Sequence, residues 1–250
     1  KSLIEILNSS YTSLEEKEKI IEKEEIEFEQ IDLIDDSLYN LLIKNNKVKY
    51  NLDNVLELYK KSGKLTVEII NMINSNKLNF DELLQISDNE IVKQFEYDFS
   101  INNNISINIY EEIIKKLNVI ENFDNDELES NRLRILIDND IIEFNESNYN
   151  YIKENYPDLI YKFINSNKEE FKENIEHFDI SSINLLTSNE IDSSLKQYLI
   201  DEEIVNLLDL NEDDLYYLLI NDIVCTNNDE VDKKLIESSL DTEKKIKYLF

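Results

Sequence analysis

The chain has 250 residues, of which one is glycine and one is proline; 41% are hydrophobic, and 26 basic side chains stand against 55 acidic ones for a formal charge of −29. Average usage puts glycine and proline together at about 12%, so their near absence excludes folds that depend on tight hairpins, β-bulges and glycine-capped turns. The negative charge repels phosphate backbones, because nucleic-acid affinity comes largely from Lys and Arg releasing counterions, so neither nucleic acid nor an anionic membrane surface is an expected partner.

In chain order, the pattern of a Ser, Thr, Asp or Asn with a Glu three residues on, ahead of apolar residues at helical spacing, predicts helix starts. The first is Ser13 with Glu16, followed by Leu14, Ile20, Ile21 and Phe28, with residues 22–29 as a charged helix face. A helix over 36–43 ends in Leu41, Leu42 and Ile43, and a short extended piece follows from Val48. Asn51 is the predicted N-cap of the next helix, with Asn54 three residues on. Gly63 is the turn after it, in the left-handed position beyond a helix end. Ser87 with Glu90 opens a helix carrying Ile91, Phe95 and Phe99, residues 101–106 form a loop, and Asn108 with Glu111 opens another carrying Ile109, Ile113, Ile114 and Leu117. Asp124 with Glu127, Ser166 with Glu169, Thr187 with Glu190 and Asn227 with Glu230 mark four further starts. Ile, Tyr and Val favour strands, so the assignment rests on periodicity and missing turn chemistry rather than on propensity. The whole reads as about sixteen helices of roughly 8 to 16 residues joined by Asn, Asp and Ser.

Internal similarity sets the expected architecture. Residues 36–43 resemble 130–137 at an offset of 94 and 213–220 at an offset of 177. Residues 48–55 resemble 142–149, again at 94, which pairs Asn51 with Asn145 and Asn54 with Asn148. Residues 73–76 recur as 164–167 at 91, three residues having been lost near Gly63 and Pro157, and a third copy reads 223–231. The expectation is an all-α fold, an α-solenoid of degenerate helical-hairpin repeats in a HEAT-like superhelix, running as one continuous body over 1–250 with copies at roughly 20–110, 111–200 and 201–250. Asn54 and Asn148 read either as a ligand-facing polar ladder or as local capping of the first helical turn, and capping is favoured.

The order of Leu41, Leu42 and Ile43, then residues 47–59, then 65–74 ending in Ile73 and Asn74, resembles the helical C-terminal region of bacterial YobI-like P-loop NTPases, best over residues 20–80. What the resemblance implies is a sensor, scaffold or partner-binding arm of an ATPase, with the nucleotide-binding domain lying N-terminal to this chain. That the chain starts at Lys1, with Met72 as its sole methionine, reads as a segment of a longer or processed protein.

No catalytic, cofactor-binding or metal-binding residue is expected. Gly63 in the 61–66 segment lacks the further glycines and the adjacent Ser or Thr of a phosphate loop. His177 is the sole histidine, which leaves no Ser-His-Asp, Cys-His or multi-histidine arrangement, and it reads as packed or stabilised at a helix end. Cys225, the sole cysteine, reads as a buried structural residue of a reducing compartment. The carboxylates at 124–129 and 138–140 lack the glycine and distal Glu of a calcium loop. Tyr149, Tyr151, Tyr156 and Tyr161 read as half-buried core rather than interface. With no apolar run near 18 residues and no signal-peptide pattern, a cytoplasmic location is expected. The expected function is a non-enzymatic scaffold binding a protein partner or coupling to an N-terminal NTPase domain. A self-assembling structural repeat protein is the alternative, and an enzyme using carboxylates alone a third reading.

Overall fold

Glycine is scarce, so the way each helix stops is informative. In the computed structural model, which describes residues 2–25, 27–81, 83, 89–221, 223, 229–239, 241–243 and 245, the left-handed positions are Gly63 at φ 64° and four residues with side chains: Asn46, Asn76, Asp140 and Glu203, at φ 54° to 56°. Asn and Asp tolerate this region better than other non-glycine residues, and Glu203 is the exception. At Asn46, Asp140 and Glu203 the chain closes a Schellman motif. Lys47, Ile141 and Ile204 donate back to Leu42, Leu136 and Leu199 at 2.9, 3.0 and 3.0 Å, and the left-handed residue donates to Ile43, Ile137 or Ile200 at 3.0 to 3.1 Å.

The described residues are all-helical, with no strand beyond an isolated parallel bridge between Phe28 and Val48. The contacts divide the chain into two compact units. The first, Lys1–Ile120 with Glu127–Ile141, holds α1 (Leu3–Leu7), α2 (Leu14–Lys23), α3 (Tyr39–Lys44), α4 (Leu52–Ser62), α5 (Val67–Asn74), α6 (Glu90–Ser100), α7 (Ile107–Ile114) and α8 (Ser130–Asp138). The second, Glu121–Asp126 with Ile142–Phe250, holds α9 (Glu146–Asn155), α10 (Ile160–Ser166), α11 (Lys168–Glu173), α12 (Ser182–Thr187), α13 (Ser193–Asp201), α14 (Glu212–Ile220) and α15 (Asp229–Ile236). The core of the first unit is aliphatic with an aromatic spine of Tyr59, Phe95, Phe99 and Tyr110, the last two stacked at 5.8 Å. In the second unit Phe144, Tyr149, Phe163, Phe171 and Phe178 form one aromatic cluster.

The helices run 5 to 11 residues, shorter than the periodicity predicts, because a capping residue or a 3-10 turn intervenes every two or three turns. Ser13 with Glu16 forms the expected capping box, and Ser2 with Glu5 forms another. The other predicted boxes whose residues are all described do not form. Asn108 lies inside α7, which Ser106 caps; Asp124 and Glu127 lie in a turn before α8; Ser166 and Thr187 end α10 and α12 instead of starting a helix. The helix α6 begins at Glu90 behind its N-cap Asn89, and Ser87 and Asn227 lie outside the described residues. In a chain this acidic the spacing arises often, and where the preceding segment is tied to another helix that tie decides the start. The 22–29 stretch is likewise not one helix face: α2 stops at Lys23, and Phe28 is extended, accepting from Lys49 at 2.9 Å and donating to Lys47 at 2.7 Å.

The ties are asparagine side chains. Asn8 donates to the Leu33 carbonyl and accepts from the Asp35 amide, both at 2.8 Å. Asn74 does the same to Asn104 and Ser106 at 3.1 and 2.8 Å, Asn103 to Glu127 and Glu129 at 2.9 and 3.1 Å, and Asn165 to Glu190 and Asp192. In each case one amide takes a carbonyl and the N–H two residues later, groups that point the same way on extended backbone. Asp35, Ser106, Glu129 and Asp192 are N-cap residues, so each clamp sets where the following helix begins.

Candidate functional site

The expected N-caps Asn51 and Asn145 are in place, accepting from the amides of Asn54 and Asn148 at 2.8 and 2.9 Å. The side chains of Asn54 and Asn148 do something neither sequence reading foresaw. Asn54, 1% exposed, accepts from the Ile31 amide at 3.0 Å and donates to the carbonyls of Phe28 and Lys49 at 3.3 and 2.9 Å. Asn148, 0% exposed, accepts from Phe123 at 2.8 Å and donates to Glu121 and Glu143 at 3.0 and 2.8 Å. These are internal staples, not a ligand-facing ladder: each joins a segment more than twenty residues away to a carbonyl five residues back in the chain rather than capping its own first turn. Of these four asparagines, Asn51 and Asn145 make the first-turn caps.

Other residues singled out in the sequence do not converge on one site, although Tyr151 and Tyr156 have ring centres 6.5 Å apart. Gly63 ends α4 in the left-handed conformation, its amide donating to Tyr59 at 2.7 Å. His177 closes a 3-10 turn and is exposed, and Cys225 lies outside the described residues. Tyr149 and Tyr156 are buried and Tyr151 and Tyr161 half-buried, as core. Burial, with the negative charge of Asp179 adding to it, pushes the Tyr149 phenol up to about 12. Among the described residues no three His, Cys, Asp or Glu side chains converge on a metal-sized site.

What the structure does bring together is a groove of about 670 Å³ in the first unit, bounded by α3, α4 and α5 and the extended residues Val48 and Tyr50. A volume of this size falls in the range of ligand and peptide pockets. Its floor is apolar, from Ile43, Val48, Leu58 and Met72, and its walls carry the amides of Asn40 and Asn71. At one end Lys61 pairs with Asp36 at 2.6 Å, which holds the ammonium pKa above its ordinary value. Tyr39 packs beside the pair, its phenol pushed up to about 12 by burial and by the charges of Glu57, Asp36 and Asp32. Tyr50, which lines the groove, has Lys77 5.4 Å from its ring centre, a cation–π distance. Opposite charges are thus balanced on a wall of a strongly acidic chain, and the Tyr39 phenol stays a neutral hydrogen-bonding group. No sequence signal marked these residues, because they come from three helices and acquire a common surface only when those helices pack. The comparison of Tyr50 with Phe144 in the 94-residue alignment would have drawn attention to the place.

A second unusual group is Glu96, on the buried face of α6. One carboxylate oxygen accepts from the Asn118 amide at 2.7 Å and the other has no partner. Burial raises its pKa above the ordinary carboxylate value of 4.5, the Asn118 bonds and the charge of Lys93 opposing. A raised folded-state value means that the folded chain binds the proton more tightly than the unfolded chain, so this group adds stability as pH falls towards 4.5. Glu96→Gln is therefore expected to be more stable than the parent at pH 7, with the advantage shrinking as pH falls towards 4.5, as read from thermal midpoints across that range. Equal midpoints for the two proteins at every pH would refute it.

The chain is similar to an uncharacterized membrane protein, YobI, of Bacillus subtilis (strain 168), with 23% identity over 260 residues covering 97% of this chain and 22% of the relative. The chain thus spans less than a quarter of the length of the curated relative it matches. No protein-family profile matches it, and no solved structure does. The relative's designation corrects the cytoplasmic location expected from the sequence: that protein is named a membrane protein. No helix among the described residues is long and apolar enough to cross a membrane.

Proposed function

We propose that the chain is a non-catalytic helical-repeat scaffold, an α-solenoid segment that holds a protein partner as one arm of a larger polypeptide whose nucleotide hydrolysis, if present, resides elsewhere. The observation that carries this reading is the recurrence of one wiring pattern. Asn51 and Asn54 are matched by Asn145 and Asn148: the first of each pair accepts from the second's amide and donates to a loop carbonyl, Glu29 or Glu121, and the second accepts from Ile31 or Phe123 and donates to Lys49 or Glu143, while beside them Phe28 donates to Lys47 and Ile120 to Ile141 at 2.6 Å. Repeated supersecondary units that each leave one face open are how helical scaffolds present extended binding surfaces. The 670 Å³ groove, with paired charges and free amides on its walls, suits a protein partner better than a reaction, because no nucleophile and base meet in it.

The reading is tested by incubating the purified 250-residue chain with ATP and GTP and by light scattering over a range of concentrations. The expected result is no phosphate release above buffer and a mass independent of concentration. Sustained turnover by the pure chain would sink the non-catalytic reading. A mass that climbs with concentration would favour self-assembly over the capture of a partner.

A further inference from the structure

The groove has a counterpart that is filled. At the 94-residue offset Tyr50 corresponds to Phe144, and at the 91-residue offset Met72 corresponds to Phe163. Phe144 and Phe163 pack with ring centres 5.0 Å apart, and Phe178 brings a further ring to 5.2 Å from Phe144. Phe178 is delivered on extended backbone, at φ −102° and ψ 124°, just beyond a 3-10 turn. Ninety-one residues before Phe178 the sequence has Ser87, which is not aromatic and lies outside the described residues. Tyr50 and Met72 line the open groove.

The walls of that space add a second observation. Asn8, Asn74, Asn103 and Asn165 each grip a passing segment through a carbonyl and the N–H two residues on. Asn40 on α3 and Asn71 on α5 are exposed, line the groove, and have side-chain amides that bond to no other described residue. The same chemistry that holds this chain's own backbone is therefore available to another.

The geometry points to this groove as the receptor for an extended segment of a partner protein that carries an aromatic side chain. The ring enters between Tyr50, Met72 and Leu58, in the role that Phe178 has beside Phe144. Asn40 and Asn71 take the carbonyl and N–H groups of the segment's backbone, so the apolar floor selects the ring and the amides select an extended conformation. A ring of this kind supplies large contact area with only two side-chain torsions to fix, which makes it the natural anchor of a short motif. The inference deepens the partner-binding reading and rests on it.

The test is selection of short random peptides displayed on phage against the immobilised full chain, followed by fluorescence anisotropy with the synthetic winners. Enriched peptides are expected to share a Phe, Tyr or Trp at one position, and replacing it with alanine is expected to weaken binding about tenfold or more. Asn40→Ala and Asn71→Ala in the protein are expected to weaken binding by about threefold to tenfold each, the effect of a lost hydrogen bond. Both side chains are exposed and unbonded within the chain, so the thermal midpoint should stay unchanged and a binding loss cannot be put down to unfolding. Failure to enrich any peptide, or enrichment without an aromatic, overturns the proposal. Peptides whose binding ignores both asparagine substitutions overturn the groove but leave partner binding standing, whereas nucleotide turnover would remove the underlying reading itself.

Discussion

Asn54→Ala is expected to destabilise the first unit by about 3 kcal/mol, and Asn148→Ala the second by a similar amount, because each removes three hydrogen bonds to backbone groups at about 1 kcal/mol apiece. In the first unit the groups are the Ile31 amide and the Phe28 and Lys49 carbonyls; in the second they are the Phe123 amide and the Glu121 and Glu143 carbonyls. Neither asparagine is more than 1% exposed, so water cannot take over the bonds without opening the structure. For a chain of this length the shift in thermal midpoint is about 2–4 °C per kcal/mol, giving a drop of roughly 10 °C. The capping residues provide the comparison. Asn51→Ala and Asn145→Ala remove an N-cap bond, for which about 1 kcal/mol is usual. Each also removes a bond to the carbonyl of an exposed loop residue, Glu29 or Glu121, the latter still held by Asn148. Calorimetry and urea titration check the ranking. If Asn54→Ala and Asn148→Ala cost no more than the cap variants, the buried amides are not staples.

Arg132→Met is expected to cost about 2–4 kcal/mol, since it leaves two loop carbonyls without their charged donor while keeping most of the apolar stem. The guanidinium, on a residue only 5% exposed, donates to Asn103 at 3.1 Å and Ile105 at 2.6 Å, and lies 5.0 Å from the centre of the Tyr110 ring. Tyr110 in turn donates to Ser100 at 2.6 Å, so the arginine and the tyrosine together fix the loop between α6 and α7. Lys234 shows that an ammonium can do the same work: from α15 it donates to Leu208 and Leu210, again two residues apart, at 2.6 Å each. Arg132→Lys should therefore recover at least half of the loss measured for Arg132→Met by urea titration. A lysine variant no better than methionine would show that the planar guanidinium over Tyr110, rather than the carbonyl pair, is what the site requires.

The sequence by itself determined the helical class, the loop at 101–106, the left-handed turn at Gly63 and the N-caps at Asn51 and Asn145. All of these are local. A residue's effect on φ, or the reach of a side chain to an amide three positions on, is fixed within a few bonds and can be read from spacing. The sequence also pairs Asn51 with Asn145 and Asn54 with Asn148 at an offset of 94. Tertiary structure alone decided the rest. Whether Ser166 or Thr187 opens a helix or ends one depended on clamps from residues such as Asn165, whose partners lie 25 and 27 residues away. The second amide of each pair, Asn54 or Asn148, found its work in segments that only helix packing brings near. The groove of Tyr50, Asn40 and Asn71 belongs to the same class of feature: three helices and an extended turn make one surface, and no spacing along the chain encodes a space between them.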